Sequence, residues 1–263
     1  LAQSFFSIDE FSGLINYEFT LKTYGELFIP ANYDIILRTV TMSAAVTIAA
    51  AIIAFPIAYF AARYARGRWK AIFYLGVMLP LWSSYLVKVY SWKLILAKEG
   101  ILNWGFEKLH LGWLLQAYLD LPFFGGNSLS TSVTGTFLVF LYVWLPFMIL
   151  PLYTTLEKLD LDLHDAAADL GGKPLHVFRD ITLPMAMPGI IAGSLLVFIP
   201  ALGEFVIPAL LGGLDSLMIG RTLYDEFFMN RDWPLASAVA TILLFILILP
   251  IMLFQRLQQE PQQ

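Results

Sequence analysis

Five stretches of the chain run almost without polar interruption: residues 39–62, 71–92, 133–155, 188–211 and 235–254. A helix rises about 1.5 Å per residue, so ~20 residues cross the ~30 Å hydrocarbon core of a bilayer. All five stretches reach that length. Together they hold 113 residues and only two charged side chains, Lys88 and Glu204. A buried helix of a water-soluble protein is shorter and apolar along one stripe. The pattern therefore predicts an all-α, polytopic integral membrane protein. Residues 1–6 read as the tail of another apolar helix, giving about six spans, the first only partly present.

Composition narrows the class further. The chain is 59% hydrophobic and 14% charged, whereas soluble domains carry about a quarter charged residues. That excludes a soluble globule of this size, and disorder needs a polar chain. A net charge of −4 with no basic tract argues against nucleic-acid binding. Cysteine is absent, which removes disulfides and thiolate chemistry.

Lys and Arg set the orientation. The loop 63–70 carries Arg63, Arg66, Arg68 and Lys70; the loop 156–187 adds Lys158, Lys173 and Arg179, and the tail adds Arg256. These segments are read as cytoplasmic. The organisation is then a helix tail (1–6), a periplasmic segment (7–37), a transmembrane domain (38–254) containing the cytoplasmic loop 156–187, and a cytoplasmic tail (255–263). Segments 7–37, 93–130 and 212–233 face outward with twelve acidic and six basic residues. This suits attraction of a cation, and it also follows from the positive-inside bias alone. Trp69, Trp92 and Trp233 at span ends form an aromatic belt. Residues 93–130 have room for short interfacial helices.

An ionisable group inside a span marks a cavity or a partner charge. Glu204 lies four residues after Pro200 and four before Pro208, with Gly203 beside it. Pro208 has no N–H for the Glu204 carbonyl, so the helix is expected to kink or unwind there, leaving a carbonyl and a carboxylate together. Two acceptors suit an ammonium; a bend held by a Glu204–Lys88 pair is the plainer alternative. Lys88 is placed to snorkel toward the outer interface. Ser84, Tyr85, Ser91 and Trp92 share its helix face, as a passage lining with cation–π potential or as interhelical bonding. The candidate passage residues are Glu204, Tyr85, Lys88 and Trp92, with Asp225 and Glu226 from the acidic outer set.

The loop 156–187 is too long for a simple connector. Asp160 or Asp162 can cap a short helix that Gly171 and Gly172 end; Pro174 suits the start of a second helix, expected to stop at Pro184, with Pro188 opening the next span. Within the loop, Asp165-Ala166-Ala167 is followed after three residues by Gly171 and after nine more by Ile181-Thr182-Leu183-Pro184. This spacing resembles the cytoplasmic "EAA" loop of ABC-importer permeases, with Asp165 in place of Glu. The resemblance implies the type I importer fold and a coupling helix that docks on an ATPase subunit. Asp165, Ala166, Ala167, Gly171, Ile181, Leu183 and Pro184 are the candidate coupling residues.

Further stretches, Gly203–Pro208, Leu211–Gly213, Met218–Gly220, Asn230–Pro234 and Pro146–Tyr153, resemble the spermidine/putrescine branch of that family. The chain has no G-x-x-x-x-G-K-[ST] phosphate loop. It is read as a non-catalytic subunit without a cofactor of its own, ATP and Mg belonging to partners. The resemblance implies two ATPase subunits, a second related permease, a periplasmic substrate-binding protein, and a place in the bacterial inner membrane. The expected cargo is a polyamine, with a zwitterionic amino compound as the alternative. An ion-driven secondary transporter is the rival class; it usually shows internal repeats, and no convincing duplication is present.

Overall fold

The computed structural model describes residues 1–9, 13–28, 30–121, 125–160, 163, 167, 169, 171–213 and 217–259, with backbone alone at 30–31, 249 and 253–259. Among these, four helices are long and apolar enough to cross a membrane: Asn32–Arg63, Val133–Glu157, Pro174–Leu202 and Trp233–Met252. The helices Arg68–Trp82 and Tyr85–Lys108 are apolar enough only when taken together, as a broken span or a re-entrant loop.

In chain order, the first element is a 3-10 turn (Ala2–Phe5). It leads into an antiparallel ribbon of β1 (Ser7–Ile8) and β2 (Ile15–Asn16), with Ser7 opposite Asn16. Then come α1 (Lys22–Leu27), α2 (Pro30–Arg63), α3 (Arg68–Trp82), α4 (Tyr85–Leu96), α5 (Ile101–Lys108), α6 (Gly112–Leu119) and α7 (Val133–Glu157). After the loop come α8 (Pro174–Val177), a π-helical turn (Phe178–Thr182), α9 (Leu183–Leu202), α10 (Val206–Leu210), α11 (Ile219–Tyr224), a second π-helical turn (Asp225–Met229) and α12 (Trp233–Gln259). The chain forms two compact units. One comprises Leu1–Ala44, Tyr85–Phe140 and Ile199–Gln263; the other comprises Ala45–Ser84 and Leu141–Phe198.

Small residues build the second unit. Ala50, Ala54, Ala58 and Ala61 are buried at successive turns of α2. Without a hydrophobic force between helices in lipid, close backbone approach supplies the attraction. The Gly189-x-x-x-Gly193 pair does the same for α9. A Cβ at 189 would lie 2.6 Å from the Thr155 hydroxyl, and one at 193 would lie 2.6 Å from the Met148 sulfur. Gly189 and Gly193 therefore let α9 close on α7.

The first unit is held by a small apolar core and by buried polar links. Leu27, Ile219, Ala238 and Val239 pack together with Ile35, Ile36 and Leu235 around them. Thr23 donates to the Phe6 carbonyl at 2.7 Å. Thr39 accepts the Ile219 N–H at 3.0 Å, and Gly212 N–H reaches the Ser130 carbonyl at 3.0 Å.

Two expectations need correction. The stretch 71–92 is not one helix. It breaks after Trp82, where Ser83 turns to extended backbone and its hydroxyl bonds the Pro80 carbonyl at 2.8 Å. A serine hydroxyl competing for main-chain partners beside a proline ends the turn that hydrophobicity alone would continue. Nor does the second loop helix stop at Pro184: helical structure is continuous over Pro174–Leu202. The π-helical turn explains this. The Leu183 N–H bonds back to Phe178, five residues earlier, and the widened turn admits Pro184 without a helix end.

Candidate functional site

Glu204 occupies the gap between α9, which ends at Leu202, and α10, which begins at Val206. The cause is local. Pro208 denies the Glu204 carbonyl its helical donor and crowds the preceding turn. The side chain then mends part of the defect: its Oε1 accepts the Val206 N–H at 2.8 Å, capping the helix that follows. Glu204 is only 9% exposed. A carboxylate offers roughly four acceptor positions, and Val206 fills one of them.

Helix α4 packs against α10 and brings Tyr85 to this gap. The phenol faces the Glu204 carboxylate; its oxygen is buried and makes no hydrogen bond of ordinary geometry among the described residues. Lys88 and Trp92 follow three and seven residues along α4, on the face of Tyr85, and both are half-buried.

Asp225 and Glu226 open the second π-helical turn. The Arg221 guanidinium lies 3.7 Å from the Asp225 carboxylate, and Glu226 accepts the Asn230 amide at 3.0 Å. They connect to the Glu204 gap through neighbours. Arg221 donates to the Pro208 carbonyl at 3.0 Å. The Tyr224 ring stacks on Phe205 at 4.8 Å and 8°, and Phe228 continues the stack at 4.9 Å. Phe205, Tyr224, Phe228 and Arg221 escaped the sequence reading. The signals were weak but present: Phe205 adjoins Glu204, and Tyr224 and Phe228 stand four apart on one helix face.

In the loop, Asp165 and Ala166 lie outside the described residues. Gly171 has φ +80°, and the Gly172 N–H donates to the Ala167 carbonyl at 2.9 Å. A six-to-one bond over a left-handed glycine is the geometry that caps helix C-termini. Ile181 is half-buried in the first π-helical turn, Leu183 is half-buried, and Pro184 is exposed as α9 begins.

Among the described residues, four helices long and apolar enough to cross a membrane define the class: a multi-pass integral-membrane protein. Residues 54–260 match the family described as binding-protein-dependent transport system inner membrane component, and the chain belongs to that family. It is the permease subunit of an ABC importer, multi-pass in the inner membrane. It is 49% identical to the inner membrane ABC transporter permease protein YdcU of Escherichia coli K12, over 98% of this chain and 82% of that one. It is 34% identical to the spermidine/putrescine transport system permease protein PotB of the same organism, over 97% and 88%. A bacterial alginate ABC transporter in complex with its alginate-bound periplasmic protein shares the fold. The TM-score is 0.70 at 16% identity, covering 93% of this chain and 84% of that one.

Proposed function

We propose that the importer carries a polyamine such as putrescine or spermidine, and that Glu204 receives an ammonium group in transit. One observation carries this reading: a buried carboxylate faces the Tyr85 phenol and adjoins the Phe205–Tyr224–Phe228 stack. Aromatic faces attract ammonium groups, more so when desolvated. A buried carboxylate suits the same charge. Asp225 and Glu226 extend the negative field. The name of PotB supports the cargo; that of YdcU states none.

The proposal extends to the remaining parts of such an importer. Two ATPase subunits bind ATP and Mg, a second related permease completes the passage, and an external binding protein delivers the cargo. This chain itself is non-catalytic.

The test is uptake by the complete transporter in proteoliposomes. Removing a charged hydrogen-bond partner costs about 1.5–3 kcal/mol, or roughly 10–100-fold in apparent affinity. Glu204→Gln should lower spermidine uptake by about that factor with normal membrane abundance, while Glu204→Asp keeps part of it. Unaltered uptake by Glu204→Gln would remove Glu204 from the passage. A wild-type transporter that moves a zwitterionic amino acid and not spermidine would overturn the cargo.

A further inference from the structure

We propose that the basic turn joining α2 to α3 is a clamp on the coupling loop. Lys70, Arg63 and Phe55 act as positioning residues that pass the loop's displacement to α2 and α3. The proposal rests on reading loop 156–187 as the ATPase-docking element.

The clamp grips both arms of the loop. On the incoming arm, the Lys70 ammonium pairs with the Glu157 carboxylate. Arg63 Nη1 donates to the Leu159 carbonyl at 3.2 Å. Both targets lie where α7 ends. One helical turn behind the ion pair, Tyr74 meets Tyr153 edge-on at 5.2 Å, with Phe73 also 5.2 Å from Tyr153. Tyr74 is four residues after Lys70, and Tyr153 is four before Glu157. The two helices are thus joined in successive rungs, and the buried Tyr153 anchors the inner one. On the outgoing arm, the Phe178 ring sits edge-on against Phe55 of α2 at 5.3 Å.

Stability alone does not account for this arrangement. The Lys70 and Glu157 side chains are 41% and 37% exposed, and such pairs add little to folding. Glu157 is also placed against the helix dipole, since a carboxylate at a helix C-terminus is unfavourable. A cation opposite Glu157 relieves that conflict, and Arg63 satisfies a carbonyl just beyond the helix end. The Lys70 and Arg63 contacts join the incoming arm to the turn between α2 and α3, and Phe55 joins the outgoing arm to α2 about two helical turns earlier. A displaced loop therefore moves the inner ends of α2 and α3 with it, because close-packed elements transmit strain.

The experiment measures ATP hydrolysed per substrate imported by the full transporter in proteoliposomes. Lys70→Met and Glu157→Gln should each raise that ratio about two- to fivefold, the range an exposed pair can supply. The exchange Lys70→Glu with Glu157→Lys should bring it back toward wild type. A purely structural pair would lower uptake and hydrolysis together; an unchanged ratio in both single variants overturns the clamp.

Should those variants fail to reach the membrane, the chain's lack of cysteine allows a second measurement. Lys70→Cys with Glu157→Cys, bridged by a short thiol cross-linker, should keep transporting. Arrest on cross-linking would mean the contact must open, against the proposal. Gly171→Ala separates the two readings. If it raises the ratio and the Lys70 and Glu157 variants do not, the clamp fails and the docking role stands. If it too leaves the ratio unchanged, the docking role fails.

Discussion

Gly220 is pressed against the backbone of Glu204: a Cβ at position 220 would lie 2.5 Å from the Glu204 carbonyl oxygen and 2.6 Å from that of Gly203. Backbone cannot swing aside as a side chain can, so Gly220→Ala must shift the gap that holds the carboxylate. Overpacking of this kind costs about 1–3 kcal/mol. We expect Gly220→Ala to lose most uptake while the chain still reaches the membrane. Gly203→Ala is the matched control, since a Cβ there meets nothing within 4 Å among the described residues. Uptake assays with membrane abundance measured in parallel decide it; equal behaviour of the two variants would mean that gap geometry does not matter.

Gly171 poses the opposite case. Among the described residues no atom lies within 4 Å of a Cβ there, yet φ is +80°. Only backbone strain opposes a side chain, about 1–2 kcal/mol for most residues and less for Asn. Gly171→Ala should therefore raise the ATP consumed per substrate imported more than Gly171→Asn does. If Asn were as damaging as Ala, the left-handed turn would not be what the loop requires.

The membrane class and most helices were legible because they depend on runs of residue type. The helix break at Glu204 was legible as well, since Pro208 removes a donor wherever it stands in a helix. The break at Ser83 was not, because hydropathy averages over a single serine bonding back to Pro80. The continuous helix through Pro184 was hidden for a related reason: a π-helical turn depends on which carbonyl the Leu183 N–H selects. α2 begins at Pro30, well before the apolar run starts at 39, because polar residues such as Asn32, Asp34 and Arg38 do not interrupt a helix when they lie beyond the hydrocarbon. The partnership of Phe205 with Tyr224 joins residues nineteen apart in sequence, and no local pattern announces it.

Thr39 links two distant segments of the first unit. Its hydroxyl donates to the Ile35 carbonyl at 2.7 Å and accepts the Ile219 N–H at 3.0 Å. The residue is fully buried. Thr39→Val keeps the shape and strands that N–H, at a cost of about 1–3 kcal/mol. Thr39→Ser keeps both bonds. Thermal unfolding of the purified protein in detergent should show Val clearly below Ser; a serine variant as unstable as the valine one would refute the role of the hydroxyl.

Arg221 holds the gap from the other side. Its guanidinium donates to the Pro208 carbonyl and stands 3.7 Å from Asp225. The fork serves two acceptors in different directions, which a lysine ammonium on a flexible stem does poorly. The Asp225 contact is long and partly exposed, so by itself it contributes at most about 1 kcal/mol. The carbonyl contact fixes the segment that carries Glu204. Arg221→Lys should therefore reduce uptake more than Asp225→Asn, through the maximal rate as well as the apparent affinity. Concentration-dependent uptake by both variants tests this. A larger loss in Asp225→Asn, confined to apparent affinity, would show that Asp225 meets the cargo directly and that Arg221 mainly restrains it.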